Sequence, residues 1–104
     1  MKIPAKVLHK RWIHSHEEDG PHEMVFRPDG FRFPPSRGRE GFELRSDGSL
    51  TEIGIAPTDG AQTSQGTWEL GSKAQLLFYK GSKKEPVRVL PVVSASEERL
   101  VVSK

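Results

Sequence analysis

The 104-residue chain is predicted to fold as an all-β protein, a single antiparallel up-and-down β-barrel of about eight strands. Short runs of β-type residues alternate along it with turn residues, among them ten glycines and eight prolines. No connection is long enough for the helix that a parallel crossover needs. Closure hides the sheet edges and favours a barrel over the alternative, a two-sheet sandwich. Without a composition break or an internal repeat, residues 1–104 are expected to form one domain.

Turn residues bound each predicted strand. The strands are Lys10–His16, Glu23–Arg27, Gly41–Arg45, Leu50–Ile55, Gln65–Leu70, Ala74–Lys80, Pro86–Val93 and Glu98–Ser103. The Asp47-Gly48 pair is a strong hairpin signal, because both residues tolerate positive φ. The segment 31–39 contains Pro34-Pro35 and is therefore not expected in a central strand, because proline lacks the N–H that the ladder needs. A helix of one or two turns is expected only within the first nine residues.

Alternation with a period of two predicts which side chains face the core. Phe42 and Trp68 are expected inside the barrel. In the fourth strand Ile53 is expected on the buried face and Glu52 on the wet face. In the first strand Trp12 shares a face with His14 and His16, so all three are expected to point inward, the histidines near one end of the barrel.

The last three strands are apolar on both faces, which predicts cover on both. The barrel core covers the inner face. Two candidates cover the outer face: the N-terminal segment with Ile3, Val7 and Leu8, or a second chain in a homodimer formed through the C-terminal strands. The sequence does not decide between these two candidates.

Composition and motifs exclude several function classes. Sixteen Lys and Arg residues are interspersed with fourteen Asp and Glu, which predicts no nucleic-acid partner. No apolar run suits a membrane span and no secretory signal is visible, so no membrane partner and a cytoplasmic location are expected. There is no cysteine, no phosphate-binding loop and no Gly-x-Ser-x-Gly motif. We therefore expect no enzymatic activity and no cofactor.

The pattern as a whole resembles a small lipocalin-like (calycin-type) β-barrel. The resemblance rests on Trp12 in an early strand, the Asp47-Gly48 hairpin, and Gly66-Thr67-Trp68 within a meander of short strands. The stretches 12–19, 36–43 and 66–69 are similar to small bacterial proteins of that architecture. The resemblance implies the barrel, whereas function has to be argued from the site.

All four histidines lie in the first 22 residues. His14 and His16, followed by Glu17, Glu18 and Asp19, offer ligand types that suit a divalent metal. One strand supplies only two such ligands, and hydrogen-bonded histidines at a polar strand end explain the pattern equally simply. We therefore expect no metal.

Ser36-Arg37-Gly38-Arg39 allows two interpretations. The planar guanidinium groups suit a carboxylate or a phosphate, which would make the segment an anion clamp at the barrel mouth. Alternatively, Arg37 or Arg39 pairs with nearby carboxylates such as Glu17 and ties the long loop to the barrel.

The function expected from the sequence is non-enzymatic binding of a small polar or anionic ligand at the barrel mouth. The expected ligand contacts are Trp12, His14, His16, Arg37, Arg39, Glu43 and Trp68. The alternative is a protein–protein interaction or inhibitor module that uses the loop 31–39, where Phe31 and Phe33 would anchor a partner.

Overall fold

The structure, a computed structural model, describes residues 5–35, 39–55, 61–80 and 85–103. These residues form one closed eight-stranded barrel, a short helix α1 and one 3₁₀ helix. In chain order the elements are α1 (Ala5–Leu8), β1 (Arg11–His14), the 3₁₀ helix (His16–Glu18), β2 (Glu23–Pro28), β3 (Gly41–Leu44), β4 (Ser49–Ile55), β5 (Ala61–Gly71), β6 (Gln75–Tyr79), β7 (Arg88–Ala95) and β8 (Leu100–Ser103).

Every strand is antiparallel to both of its neighbours, so the predicted fold class is confirmed. The strand order around the barrel is β1-β2-β8-β7-β6-β5-β4-β3. Strands β3 to β8 follow one another as a meander, and the β1–β2 hairpin lies between β8 and β3 in reversed order. The connection from β2 to β3 therefore has to pass β1, which explains the length of the segment 29–40.

The two ends of the barrel differ. At one end, which we call the mouth, β1, β4, β6 and β8 end while β2, β3, β5 and β7 begin. At the other end α1 precedes β1, and Leu8 is fully buried as part of the hydrophobic core. The indole Nε1 of Trp12 donates a hydrogen bond of 3.2 Å to the carbonyl oxygen of Leu8. The helix thus plugs this end, which we call the closed end.

The position of Leu8 corrects one expectation. The N-terminal segment was a candidate for covering the outer face of the last strands, but Leu8 enters the barrel interior instead. A plug buries the side chain against the core from several strands at once, which removes more apolar surface from water than lying on one outer face. Of the other two apolar residues of that hypothesis, Val7 is half-buried in α1, and Ile3 lies outside the described residues.

Register decides which residues face inward. Phe42 and Leu44 are in the core as predicted, and they lie directly opposite Glu52 and Leu50. Because residues directly opposite share a face, Glu52 points inward with Phe42, so its predicted position on the wet face was wrong. The physical reason is that Glu52 lies near the mouth, where water reaches the inner face and a carboxylate can stay solvated. Ile53 is buried as predicted, at 9% exposure.

The outer faces of the C-terminal strands are covered unevenly. Val25 of β2 pairs with Val101 of β8 on the outer side, and both are buried, at 2% and 3% exposure. The segment of the 3₁₀ helix lies beside β2, where the Val25 amide donates to Asp19 at 2.9 Å. On β7, by contrast, Val89 and Val93 each remain 43% exposed. The homodimer through the C-terminal strands stays a prediction.

Candidate functional site

A cavity of about 330 Å³ opens at the barrel mouth. Its volume is at the lower end of the range of small-molecule sites, roughly 300–1,000 Å³. Residues of β2, β3, β4, β5 and β7, together with Glu40 directly before β3 and Lys80 directly after β6, form its wall. The lining residues are Phe26, Glu40, Gly41, Phe42, Glu52, Ile53, Gly54, Thr63, Ser64, Lys80 and Arg88.

The floor of the cavity is aromatic. Phe26 and Phe42 are almost completely buried, and their ring centroids are 4.9 Å apart. Phe42 in turn contacts Phe78 edge to face, with centroids 5.1 Å apart. Each ring comes from the inward face of a different strand, so closure of the barrel brings them together. The packed rings give the cavity a rigid apolar base.

The wall carries charged side chains. Glu52 lies opposite Phe42, Arg88 lies opposite Phe78, and Lys80 is two residues beyond Phe78, so all three share the inward face. The Glu52 carboxylate lies 3.5 Å from Nη1 of Arg88 and 3.7 Å from Nζ of Lys80. These are long contacts. Within the described residues neither cation has another polar partner, so both keep donors for a ligand.

A second carboxylate, Glu40, lines the cavity from the residue before β3. Its Oε1 lies 3.5 Å from Nδ1 of His14, and the side chain is 48% exposed. Ser64 of β5 lies opposite Glu52 on the inward face. The cavity wall therefore has carboxylates directly before β3 and on β4, cations directly after β6 and on β7, and the Ser64 hydroxyl on β5 between them.

The two tryptophans of the predicted site lie in the hydrophobic core instead of at the cavity. Trp12 is fully buried, and Trp68 is 7% exposed. The indole Nε1 of Trp68 donates to the carbonyl oxygen of Arg45 at 2.9 Å, next to the β3–β4 turn of the closed end. Both indoles act as core side chains with satisfied N–H groups.

The two histidines do not share a strand face, contrary to expectation. Strand β1 ends at His14, and His16 begins the 3₁₀ helix with its side chain 51% exposed. Ser15 between them has φ −101° and ψ 74°, which breaks the extended alternation. The ring of His14 packs against Phe26, and its Nε2 lies within hydrogen-bond distance of the Asp19 carboxylate, at 2.9 Å. Within the described residues no three His, Cys, Asp or Glu side chains are grouped so as to hold a metal ion.

Arg39 forms an ion pair that ties the long loop to the barrel, which is the second of the two interpretations of this segment. Its guanidinium binds Glu17 bidentately, donates to the carbonyl oxygens of His14 and Pro34, and is only 8% exposed. Arg37 lies outside the described residues. Glu43 is on the outer face of β3, between Arg11 at 3.4 Å and Arg45 at 3.1 Å.

The predicted ligand contacts are thus dispersed. None of the six that the structure describes lines the mouth cavity. Sequence reasoning missed Glu52, Lys80 and Arg88. For Glu52 the sequence held a signal. Pairing Leu44 with Leu50 across the Asp47-Gly48 turn puts Glu52 opposite Phe42.

Two ion pairs fix the 3₁₀ helix and the long loop to the barrel beside the mouth. The Arg39 guanidinium lowers the pKa of Glu17 from 4.5 to about 2, mainly through its hydrogen bonds. The Arg27 guanidinium, helped by the Ser15 hydroxyl, likewise lowers the pKa of Glu18 to about 2. Both carboxylates stay ionised in the folded protein well below the pH at which they would protonate in the unfolded chain.

Acid is expected to weaken this attachment. Because the folded pKa values lie below the unfolded ones, the stabilisation is complete above about pH 4.5 and is lost as the pH falls toward 2. We expect the Glu17→Gln/Glu18→Gln variant to be less stable than the unmodified protein near pH 7, and the two to converge near pH 2. Urea unfolding at both pH values measures the difference.

A stability difference that is the same at both pH values would contradict this account. Glu23→Gln is the matched control, because Glu23 is an exposed carboxylate of β2 without an ion pair among the described residues. Its effect is expected to be small and to show no such convergence.

The comparisons with known proteins add no identification: no family model, curated protein or solved structure matches the chain. Within the described residues no helix is long and apolar enough to cross a membrane.

Proposed function

We propose that this protein is a non-enzymatic binding protein that takes a small polar or anionic ligand into the mouth of its barrel. The observation that carries the proposal is the pair of cations, Lys80 and Arg88, in the wall of a cavity whose floor is aromatic. The lipocalin-like architecture suggested by the sequence fits a binding role and does not identify the ligand.

The energetics favour an anionic group beside Arg88. Its guanidinium is 36% exposed and makes only one long contact, to Glu52 at 3.5 Å, within the described residues. An incoming carboxylate can form a shorter, charge-assisted bond, worth about 1.5–3 kcal/mol, in place of that contact. The apolar part of a ligand can pack at the aromatic base of the cavity, beside Phe26 and Phe42.

A titration followed by NMR tests the proposal with a defined probe, 3-phenylpropionate, which has one carboxylate and one ring. We expect saturable shifts of the mouth amides Gly41, Gly54 and Ser64, and none at Gly48 of the closed-end turn. Arg88→Gln is expected to weaken binding about tenfold, because a lost charge-assisted bond costs roughly one factor of ten or more.

Arg11→Gln is the matched control, since Arg11 also contacts a carboxylate at 3.4 Å but lies on the outer face of β1. It is expected to leave the affinity unchanged. No saturable shift, or equal losses in both variants, would refute binding at the mouth.

A protein-interaction role for the loop 31–39 is the second candidate. Phe31 is 38% exposed, which leaves one aromatic side chain for a partner. Arg27 lies over the ring of Phe31 at 4.6 Å and Arg39 over that of Phe33 at 4.7 Å, so both rings already have partners within the chain. Residues 36–38 of this loop lie outside the described residues. The cavity therefore supports the first candidate better.

A further inference from the structure

Charge is distributed asymmetrically around the mouth cavity. The carboxylates Glu40 and Glu52 come from neighbouring strands, β3 and β4. The cations Lys80 and Arg88 come from the β6 and β7 side, on the far side of β5. Among the lining residues that the structure describes, the two signs balance in number, and they meet at Glu52.

From this arrangement we infer the class of ligand: a small dipolar ion that carries one anionic and one cationic group close together, with an apolar body. The inference rests on the proposed function and specifies the ligand of the same cavity. The anionic group binds Lys80 and Arg88, the cationic group binds Glu52 and Glu40, and the apolar body rests on Phe26 and Phe42.

Electrostatics disfavours ligands with a single charge. A simple anion beside Arg88 also approaches the Glu52 carboxylate, which lies 3.5 Å from that guanidinium and is only 19% exposed. Like charges that approach in a partly desolvated site repel each other, which weakens the binding of such an anion without abolishing it. A simple cation beside Glu52 meets Lys80 and Arg88 in the same way. A dipolar ion places each of its charges next to the opposite sign, so attraction to one of its charges offsets the repulsion of the other.

The geometry of the cavity supports the apolar body. The charged groups lie in the wall, whereas the floor is formed by the buried rings of Phe26 and Phe42. These rings offer no hydrogen-bonding partner, so a polar group that faced them would stay unpaired. At about 330 Å³ the cavity has room only for a small molecule.

Four probes separate the contributions of the charges and of the apolar body. L-Phenylalanine carries all three groups. Relative to it, 3-phenylpropionate lacks the ammonium group, phenethylamine lacks the carboxylate, and glycine lacks the ring. NMR titration of the full chain gives the four dissociation constants. L-Phenylalanine is expected to bind at least about tenfold more tightly than each of the other three, since each lacks one interaction worth about 1.4 kcal/mol or more.

The Glu52→Gln variant sharpens the test. It removes the carboxylate that faces the ligand ammonium, so the preference for L-phenylalanine over 3-phenylpropionate is expected to fall to less than about threefold. Glu69→Gln is the control, because Glu69 lies on the outer face of β5. There it accepts a hydrogen bond of 2.6 Å from the Tyr79 hydroxyl. The control is expected to keep the full preference.

The outcomes distinguish the inference from the proposed function. If 3-phenylpropionate binds as tightly as L-phenylalanine, the dipolar class is wrong while anion binding at the mouth stands. If phenethylamine or glycine binds as tightly as L-phenylalanine, the dipolar class with an apolar body is wrong as well. If none of the probes gives saturable shifts at the mouth, both the inference and the proposed function fail.

Discussion

The Trp12→Ala variant is expected to lose about 3–5 kcal/mol of its free energy of unfolding, the cost typical of truncating a buried tryptophan. Trp12 is fully buried in the core, and its Nε1 donates to the carbonyl oxygen of Leu8. The substitution therefore opens a cavity and also frees the helix that plugs the closed end. Urea unfolding followed by circular dichroism measures the loss without depending on indole fluorescence.

Val93→Ala provides the comparison for this truncation. Val93 is 43% exposed on the outer face of β7, so its loss is expected to cost no more than about 0.5 kcal/mol. A Trp12→Ala protein within about 1 kcal/mol of the unmodified chain would show that the plugged core is not the main source of stability.

The Gly41→Ala substitution is expected to cost about 3 kcal/mol of the free energy of unfolding. A Cβ atom on Gly41 would overlap the carbonyl oxygen of Trp12 and approach the Cα of Ile13 to 3.1 Å. Both are backbone atoms of the neighbouring strand, so no side chain can rotate to relieve the overlap. Strands β1 and β3 would have to separate, which costs more than ordinary overpacking.

Gly20→Ala is the control for this substitution. A Cβ atom on Gly20 would meet nothing within 4 Å. Its free energy of unfolding is expected to stay within about 0.5 kcal/mol of the unmodified protein. Equal stability of the two alanine variants, measured by urea unfolding, would contradict the close approach of β1 and β3.

The local parts of the fold could be predicted because they rest on neighbouring residues. The Asp47-Gly48 turn predicted the β3–β4 hairpin, and the structure pairs these strands from Leu44 and Leu50 onward. Strand β5 was predicted to begin at Gln65 but begins at Ala61. Its first residues lack apolar alternation, and pairing with β4 as far as Ile55 extends them into the sheet. Tertiary pairing there overrides local propensity.

The position of the β1–β2 hairpin could not be predicted from such signals. It depends on the pairing of β2 with β8, which joins Glu23 to Ser103 across almost the whole chain. The length of the segment 29–40 was the visible sign that β2 and β3 are not neighbours. Loop length alone does not say which strand lies between them.

The residues that line the mouth cavity could not be predicted from the sequence. The sequence indicated a mouth with the cations Arg37 and Arg39, whereas the described residues that line the cavity include Glu52, Lys80 and Arg88. Glu52 meets the two cations only when the barrel closes. Alternation shows which residues share a face, whereas the choice between inner and outer face needs the cross-strand register. Arg39 instead secures the long loop.

Native mass spectrometry measures binding of a small ligand at the mouth most directly. The protein would be purified without denaturation from cells grown in rich medium, alongside the Lys80→Gln/Arg88→Gln variant. We expect a stoichiometric extra mass on the unmodified protein, released by denaturation and absent from the variant. A bare mass for both proteins, or an extra mass that the variant retains, would contradict this expectation.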